Sequence, residues 1–143
     1  MARVQRFEDL AAWQKARILT KTVLTLTAGD VFARRYRLAG QLESAAVSVM
    51  SNIAEGFERD GTVEFQRFLT IAKASCGEVR SLLYGLVDAE LIDIETFERL
   101  KAQAEEISRM VAGLRRSLES GHKTSAQRTM GEDFATPYVL ELE

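Results

Sequence analysis

The chain has one proline, one cysteine and one histidine in 143 residues, and these scarcities exclude whole classes of protein. Cys76 alone permits no internal disulfide framework, so the fold must rest on an apolar core. His122, the sole imidazole, lies beyond the last periodic segment, so no Ser-His-Asp or Cys-His arrangement can form within the body of the chain. The same scarcity removes the paired Glu-x-x-His ligands of di-iron bundles, and no Cys-x-x-Cys or His-x-x-x-His spacing offers a zinc site. No metal, cofactor or catalytic residue is expected.

Long apolar runs are missing too. No stretch approaches the roughly 18 residues needed to cross a bilayer, and Met1 to Arg6 leads into a polar, periodic segment with no apolar core of a secretion signal. A cytoplasmic protein without a membrane partner is expected. There are no clear strands for a glycine-rich phosphate loop to follow, and no small-molecule substrate is evident. Net charge is only −2. Basic and acidic residues balance through residue 119, and the acidic surplus falls in the segment after it, so overall charge does not drive binding to a polyanion.

What is present is a 46% hydrophobic chain of one-domain length, enough for a single core. Four segments carry apolar residues at alternating spacings of three and four, the period of an amphipathic helix. The first lines up Leu10, Trp13, Ala16, Leu19, Val23 and Leu26, has Glu8 and Asp9 in its first turn, and stops near Gly29-Asp30. The second carries Leu38, Leu42, Ala45, Ala46, Val49, Ile53 and Phe57, and closes at Asp60-Gly61, after which Thr62 can cap the next helix.

The third stripe is the most apolar: Phe65, Phe68, Leu69, Ala72, Cys76, Val79, Leu82, Leu83 and Leu86, with an exit near Leu91. Asp93 caps the fourth, where Phe97, Leu100, Ala104, Ile107, Val111, Leu114 and Leu118 repeat up to Ser120-Gly121. Segments of about 20 to 28 residues with short connections predict an all-α, up-down antiparallel four-helix bundle over 1–120, roughly 30 to 40 Å long. Residues 121–143 read as a flexible C-terminal tail that ends in a short apolar stub, Thr136 to Leu140, able to order only by docking.

Two helices carry a second stripe. Gln41, Ser44, Ser48, Asn52 and Glu55 follow helical spacing on the second, well away from its core face. Ala74, Gly77, Ser81 and Gly85 do the same on the third. Mid-helix glycine costs about 1 kcal/mol against alanine, and close approach of another helix backbone would offset it. These residues are therefore candidates for a subunit interface. Basic residues cluster at Arg34, Arg35 and Arg37, and again at Arg109, Arg115 and Arg116, where they serve either solubility and helix ends or contact with an anion or nucleic acid. Glu105 and Glu106 occupy adjacent helical positions that point apart, which leaves them no paired acid and base work.

The run Phe7-Glu8-Asp9-Leu10-Ala11-Ala12-Trp13-Gln14-Lys15-Ala16, followed by Gln41-Leu42, Ser51-Asn52-Ile53-Ala54-Glu55-Gly56 and Ala74-Ser75-Cys76-Gly77-Glu78, resembles a bacterial family of four-helix bundles. Its members were first noticed as reading frames in intervening sequences of large-subunit ribosomal RNA genes. The resemblance covers about residues 7 to 118 and implies closed homopentameric rings. It extends to the accessory variability protein of diversity-generating retroelements, which partners a reverse transcriptase and binds nucleic acid through a basic surface; the present chain, with pI about 5.6, departs from that basic character.

Within the matched run, Asn52 and Glu55 are expected to bond to a helix end or neighbouring side chain near an interface, with Gly56 permitting close approach. Three functional expectations follow. The first is a non-enzymatic homo-oligomer, pentameric by resemblance, binding RNA or a nucleic-acid-handling protein. The second is a protein-interaction scaffold whose tail docks on a neighbour. The third is an enzyme with an unfamiliar site, for which the sequence offers no convergent polar groups.

Overall fold

The computed structural model describes residues 4–127, with side chains described through residue 120. Four helices account for most of it: α1 Ala11–Thr27, α2 Tyr36–Glu58, α3 Thr62–Asp88 and α4 Ile94–Gln127. Among the described residues there is no strand. Each helix packs on the next, and α1 closes against α4, so the chain runs up and down around one core. The most extensive seams are α2 with α3 and α3 with α4.

The apolar periodicity explains the packing. Leu19, Leu42, Ile53, Phe65, Leu83 and Leu118 are fully buried, and removing each from water is worth about 1.5 to 3 kcal/mol. Every apolar position expected on α4, from Phe97 to Leu118, is buried. Trp13, Leu26, Leu38, Phe57, Phe68 and Leu82, expected in the stripes, are only half-buried at the margins.

The helix ends depart from the expected pattern in instructive ways. Glu8 and Asp9 do not open α1; they form a separate 3-10 turn with Phe7, and Leu10 is the residue before the helix. A second 3-10 turn, Asp30–Phe32, carries buried Phe32 over the α1–α2 connection. Thr62 is the first residue of α3 and not its cap; the capping position is Gly61, whose φ of 92° and ψ of 156° suit glycine alone. Leu91 N–H donates to the Leu86 carbonyl at 2.9 Å and Glu90 N–H to Val87 at 3.0 Å, closing α3 in a Schellman arrangement with Glu90 at φ 58° in glycine's usual place. Asp93 does cap α4, its Oδ1 accepting the Thr96 N–H at 2.7 Å.

Helix lengths are unequal. α1 has 17 residues and α4 has 34, because α4 continues through Gly121 to Gln127 where the pattern placed its end at Ser120-Gly121. A lone glycine costs a helix about 1 kcal/mol but does not break it. The expected tail beyond residue 127, with its stub at Thr136 to Leu140, lies outside the described residues.

Candidate interaction surface

The second stripe of α2 divides into two environments. Gln41, Ser44 and Glu55 are exposed, whereas Ser48 and Asn52 are half-buried and turn into the seam with α3. Ser48 Oγ and Ser75 Oγ share a 2.8 Å hydrogen bond across that seam. Asn52 Nδ2 donates to the Ser48 carbonyl at 2.7 Å and to Ser48 Oγ at 3.0 Å. Asn52 thus finds its partner one turn back on its own helix and joins a polar cross-link between α2 and α3. Glu55 differs: it is solvated and, among the described residues, pairs only with exposed Arg59 at 3.7 Å, so it is no buried polar group.

Gly56 is buried, and a Cβ there would meet Phe68 Cβ at 2.6 Å and Phe65 Cδ1 at 3.0 Å. Its close approach is inside the bundle. Ala74, Ser81 and Gly85 are exposed on the outer side of α3, with Gly77 half-buried beside them. A Cβ at Gly85 would meet nothing within 4 Å, and one at Gly77 only the Arg80 Nη2 at 3.9 Å. Gly40, on the outward side of α2, is equally open. Among the described residues, then, nothing packs against these three glycines to offset their cost. The α2 segment from Leu38 to Ala54 also has a single charge, Glu43, which accepts a hydrogen bond from Thr27 at 2.8 Å. Solvated helix faces ordinarily carry more charge than this.

The two arginine clusters are not brought together. Arg34, Arg35 and Arg37 lie where α2 starts, whereas Arg115 lies beside the first half of α3, its Nη1 donating to Thr70 Oγ1 at 3.2 Å. At 1.5 Å per residue along antiparallel helices, Arg35 and Arg115 are about 25 Å apart along the bundle axis. Arg109 and Arg116 are exposed, and because α4 runs on to Gln127, none of the three sits in its last turn, where positive charge would complement the dipole. At the other cluster, Arg35 is the residue before α2 and Arg37 is in its first turn, with no side-chain cap. Cations there oppose the positive end of the helix. Tyr36 between them is 70% exposed, with the Arg37 guanidinium 5.8 Å from its ring centre.

Cys76 is buried, and burial pushes its thiol up to about 11 despite the opposing charges of Arg80 and Lys73. It is a protonated core residue at neutral pH. Among the described residues, no group of three His, Cys, Asp or Glu side chains is placed to hold a metal, and no helix is long and apolar enough to cross a membrane.

One surface escaped the sequence pattern. An open groove of about 910 Å³ runs between α1 and α2, with Trp13, Arg17, Lys21 and Leu24 on one wall and Met50 on the other. Its signal was the absence of any acidic residue in Ala11–Thr27, which has three cations. Only Lys15 of these is in an ion pair among the described residues, with Glu106 at 3.5 Å.

The fold defines a small antiparallel helical bundle. The sequence model of the 23S rRNA-intervening sequence protein matches residues 8–113, and the chain belongs to that family. A solved structure from Bacteroides thetaiotaomicron, described as a protein of unknown function from the S23 ribosomal protein family, superposes with a TM-score of 0.68 at 18% identity, covering 73% of this chain and 98% of that one. No curated protein matches the sequence.

Proposed function

We propose that the protein is a non-enzymatic, cytoplasmic homo-oligomer that binds RNA, or a protein that handles RNA, at the end of the bundle where α2 begins. The observation that carries the binding half is the Arg34, Arg35, Tyr36, Arg37 cluster. Its cations sit where the helix dipole disfavours them, make no ion pair among the described residues, and flank an exposed aromatic ring. Phosphate oxygens would relieve the repulsion, and a base could stack on Tyr36. Self-association is supported by the open glycines Gly40, Gly77 and Gly85 and by the charge-poor stretch of α2 from Leu38 to Ala54. A ring of five is the assembly the family resemblance implies, and it would repeat one modest basic patch around an axis.

Two measurements test this. Fluorescence anisotropy with labelled single-stranded RNA should show binding at low salt that weakens steeply as salt rises, and loss of that binding in R34A/R35A/R37A. Absence of binding by the wild-type protein at low salt removes the RNA contact. Sedimentation at high micromolar concentration should give a mass above that of one chain, and a strict monomer removes the assembly.

A scaffold without a nucleic-acid role is favoured by one fact: the body of the chain is electrically balanced and the whole chain carries −2. Under that alternative the partners recovered from cells would survive nuclease treatment.

A further inference from the structure

The groove between α1 and α2 has apolar Trp13 and Leu24 on its α1 wall and Met50 on the other. Leu24 is 46% exposed, and the Thr20 hydroxyl beneath is already satisfied by the Ala16 and Ala46 carbonyls at 2.9 and 3.3 Å. The rim is cationic. Arg17 stacks over Trp13 at 5.8 Å, and neither Arg17 nor Lys21 has a carboxylate partner among the described residues. An occupant should therefore be apolar and acidic at once, with its charges spaced to match.

We infer that this groove receives the segment Thr136 to Glu143 of a neighbouring copy of the chain. The segment reads Thr-Pro-Tyr-Val-Leu-Glu-Leu-Glu. The alternation of an extended chain would set Tyr138, Leu140 and Leu142 on one side of the segment and Glu141 and Glu143 on the other, the two carboxylates about 6.7 Å apart. Arg17 and Lys21, one helical turn apart, are separated by about 6 Å. The carboxylate spacing thus matches that of the two cations, and the segment brings both the acidic and the apolar partners that this wall lacks.

Reach decides between a molecule's own segment and its neighbour's. The Lys15–Glu106 ion pair sets the level of α4 against α1, and from there α4 runs on to Gln127. Gln127 is thereby carried about 28 Å along the axis past Trp13 at 1.5 Å per residue. Tyr138 lies eleven residues after Gln127, and a flexible chain of that length has a root-mean-square span of about 20 Å. The subunit's own groove would hold that stretch well beyond its relaxed span, which favours the groove of a neighbouring copy. This inference rests on the self-association proposed above.

Trp13 is the sole tryptophan, so its emission reports on the groove. In full-length protein, Y138D/L140D should shift the emission maximum several nanometres to the red while far-ultraviolet circular dichroism stays unchanged. Refolding that variant together with a Trp13→Phe chain, which supplies an intact segment but no tryptophan, should return the emission toward the wild-type position. R17E/K21E should also shift the emission, and E141K/E143K in the same chain should restore it. No red shift in Y138D/L140D, or a red shift that the Trp13→Phe chain fails to reverse, overturns the inference. A monomeric wild-type protein would overturn the self-association proposal along with it, whereas an oligomer whose Trp13 emission ignores the segment overturns this inference alone.

Discussion

Gly56 and Phe68 face each other across the α2–α3 seam with no room for another carbon: a Cβ on Gly56 would lie 2.6 Å from the Phe68 Cβ. Both positions are on the helices that make one of the two most extensive seams of the bundle. The contact holds the end of α2 against the start of α3, just before the Gly61 turn.

Gly56→Ala should therefore destabilise the protein, although alanine is the better helix former by about 1 kcal/mol. Forcing a methyl into a filled seam costs about 1 to 3 kcal/mol, and here the neighbouring atoms include a Cβ fixed to backbone. Thermal denaturation should show a melting temperature several degrees lower. An unchanged or higher value would mean that α2 and α3 separate at no cost.

Asn52 and Glu55, joined in the sequence by one motif, should behave differently. Asn52→Ala removes the link to Ser48 and loosens the Ser48–Ser75 bridge, and a lost hydrogen bond in a half-buried seam costs about 1 kcal/mol. Glu55→Ala removes only a solvated i,i+4 pair with Arg59, whose contribution to one subunit is below about 0.5 kcal/mol. Comparing their melts at low protein concentration checks this. Equal losses in the two variants would contradict the placement of Glu55 in solvent.

How much of this was legible follows from which signals are local. The four stripes set by Leu19, Leu42, Phe65 and Leu100 are repeated over many turns, so chance deviations average out and the helices are plain in the sequence. The Asp93 cap was equally plain, because one side chain and one N–H three residues on suffice. Thr62 does not cap α3 because Gly61 already supplies the turn by its backbone. The stripe through Ser48 and Glu55 looked uniform because spacing gives an angle around a helix and not the position of the neighbour that covers it. The α1–α2 groove could not be read from either helix singly, since Trp13 and Met50 meet only after folding.

Stability at acid pH should carry the signature of Asp93. Hydrogen bonds from the Thr96 side chain and backbone hold its carboxyl below the ordinary carboxylate range. A lowered value in the folded state means stability that is present above the ordinary carboxylate value and lost as pH falls through the folded one. Asp93→Asn keeps a capping oxygen without the titration. Wild type and variant should keep a constant difference in stability from pH 5 upward, and the wild type should lose ground as pH drops below about 4. Parallel curves across that range would remove the carboxylate from the cap.

Gly85 offers the sharpest separation of subunit from assembly. A Cβ there meets nothing within 4 Å among the described residues, so Gly85→Ala in an isolated subunit should raise stability by up to about 1 kcal/mol through helix propensity. If another backbone packs against this flank, the added methyl should instead push the copies apart and lower the mass measured by sedimentation at a given concentration. Gly77→Ala should act in the same direction, its nearest atom being the movable end of Arg80 at 3.9 Å. The expected result is a reduced mass with a fold that survives. A higher melting temperature with unchanged mass in both variants would show that solvent alone faces this side of α3, and the assembly would have to be sought on another face.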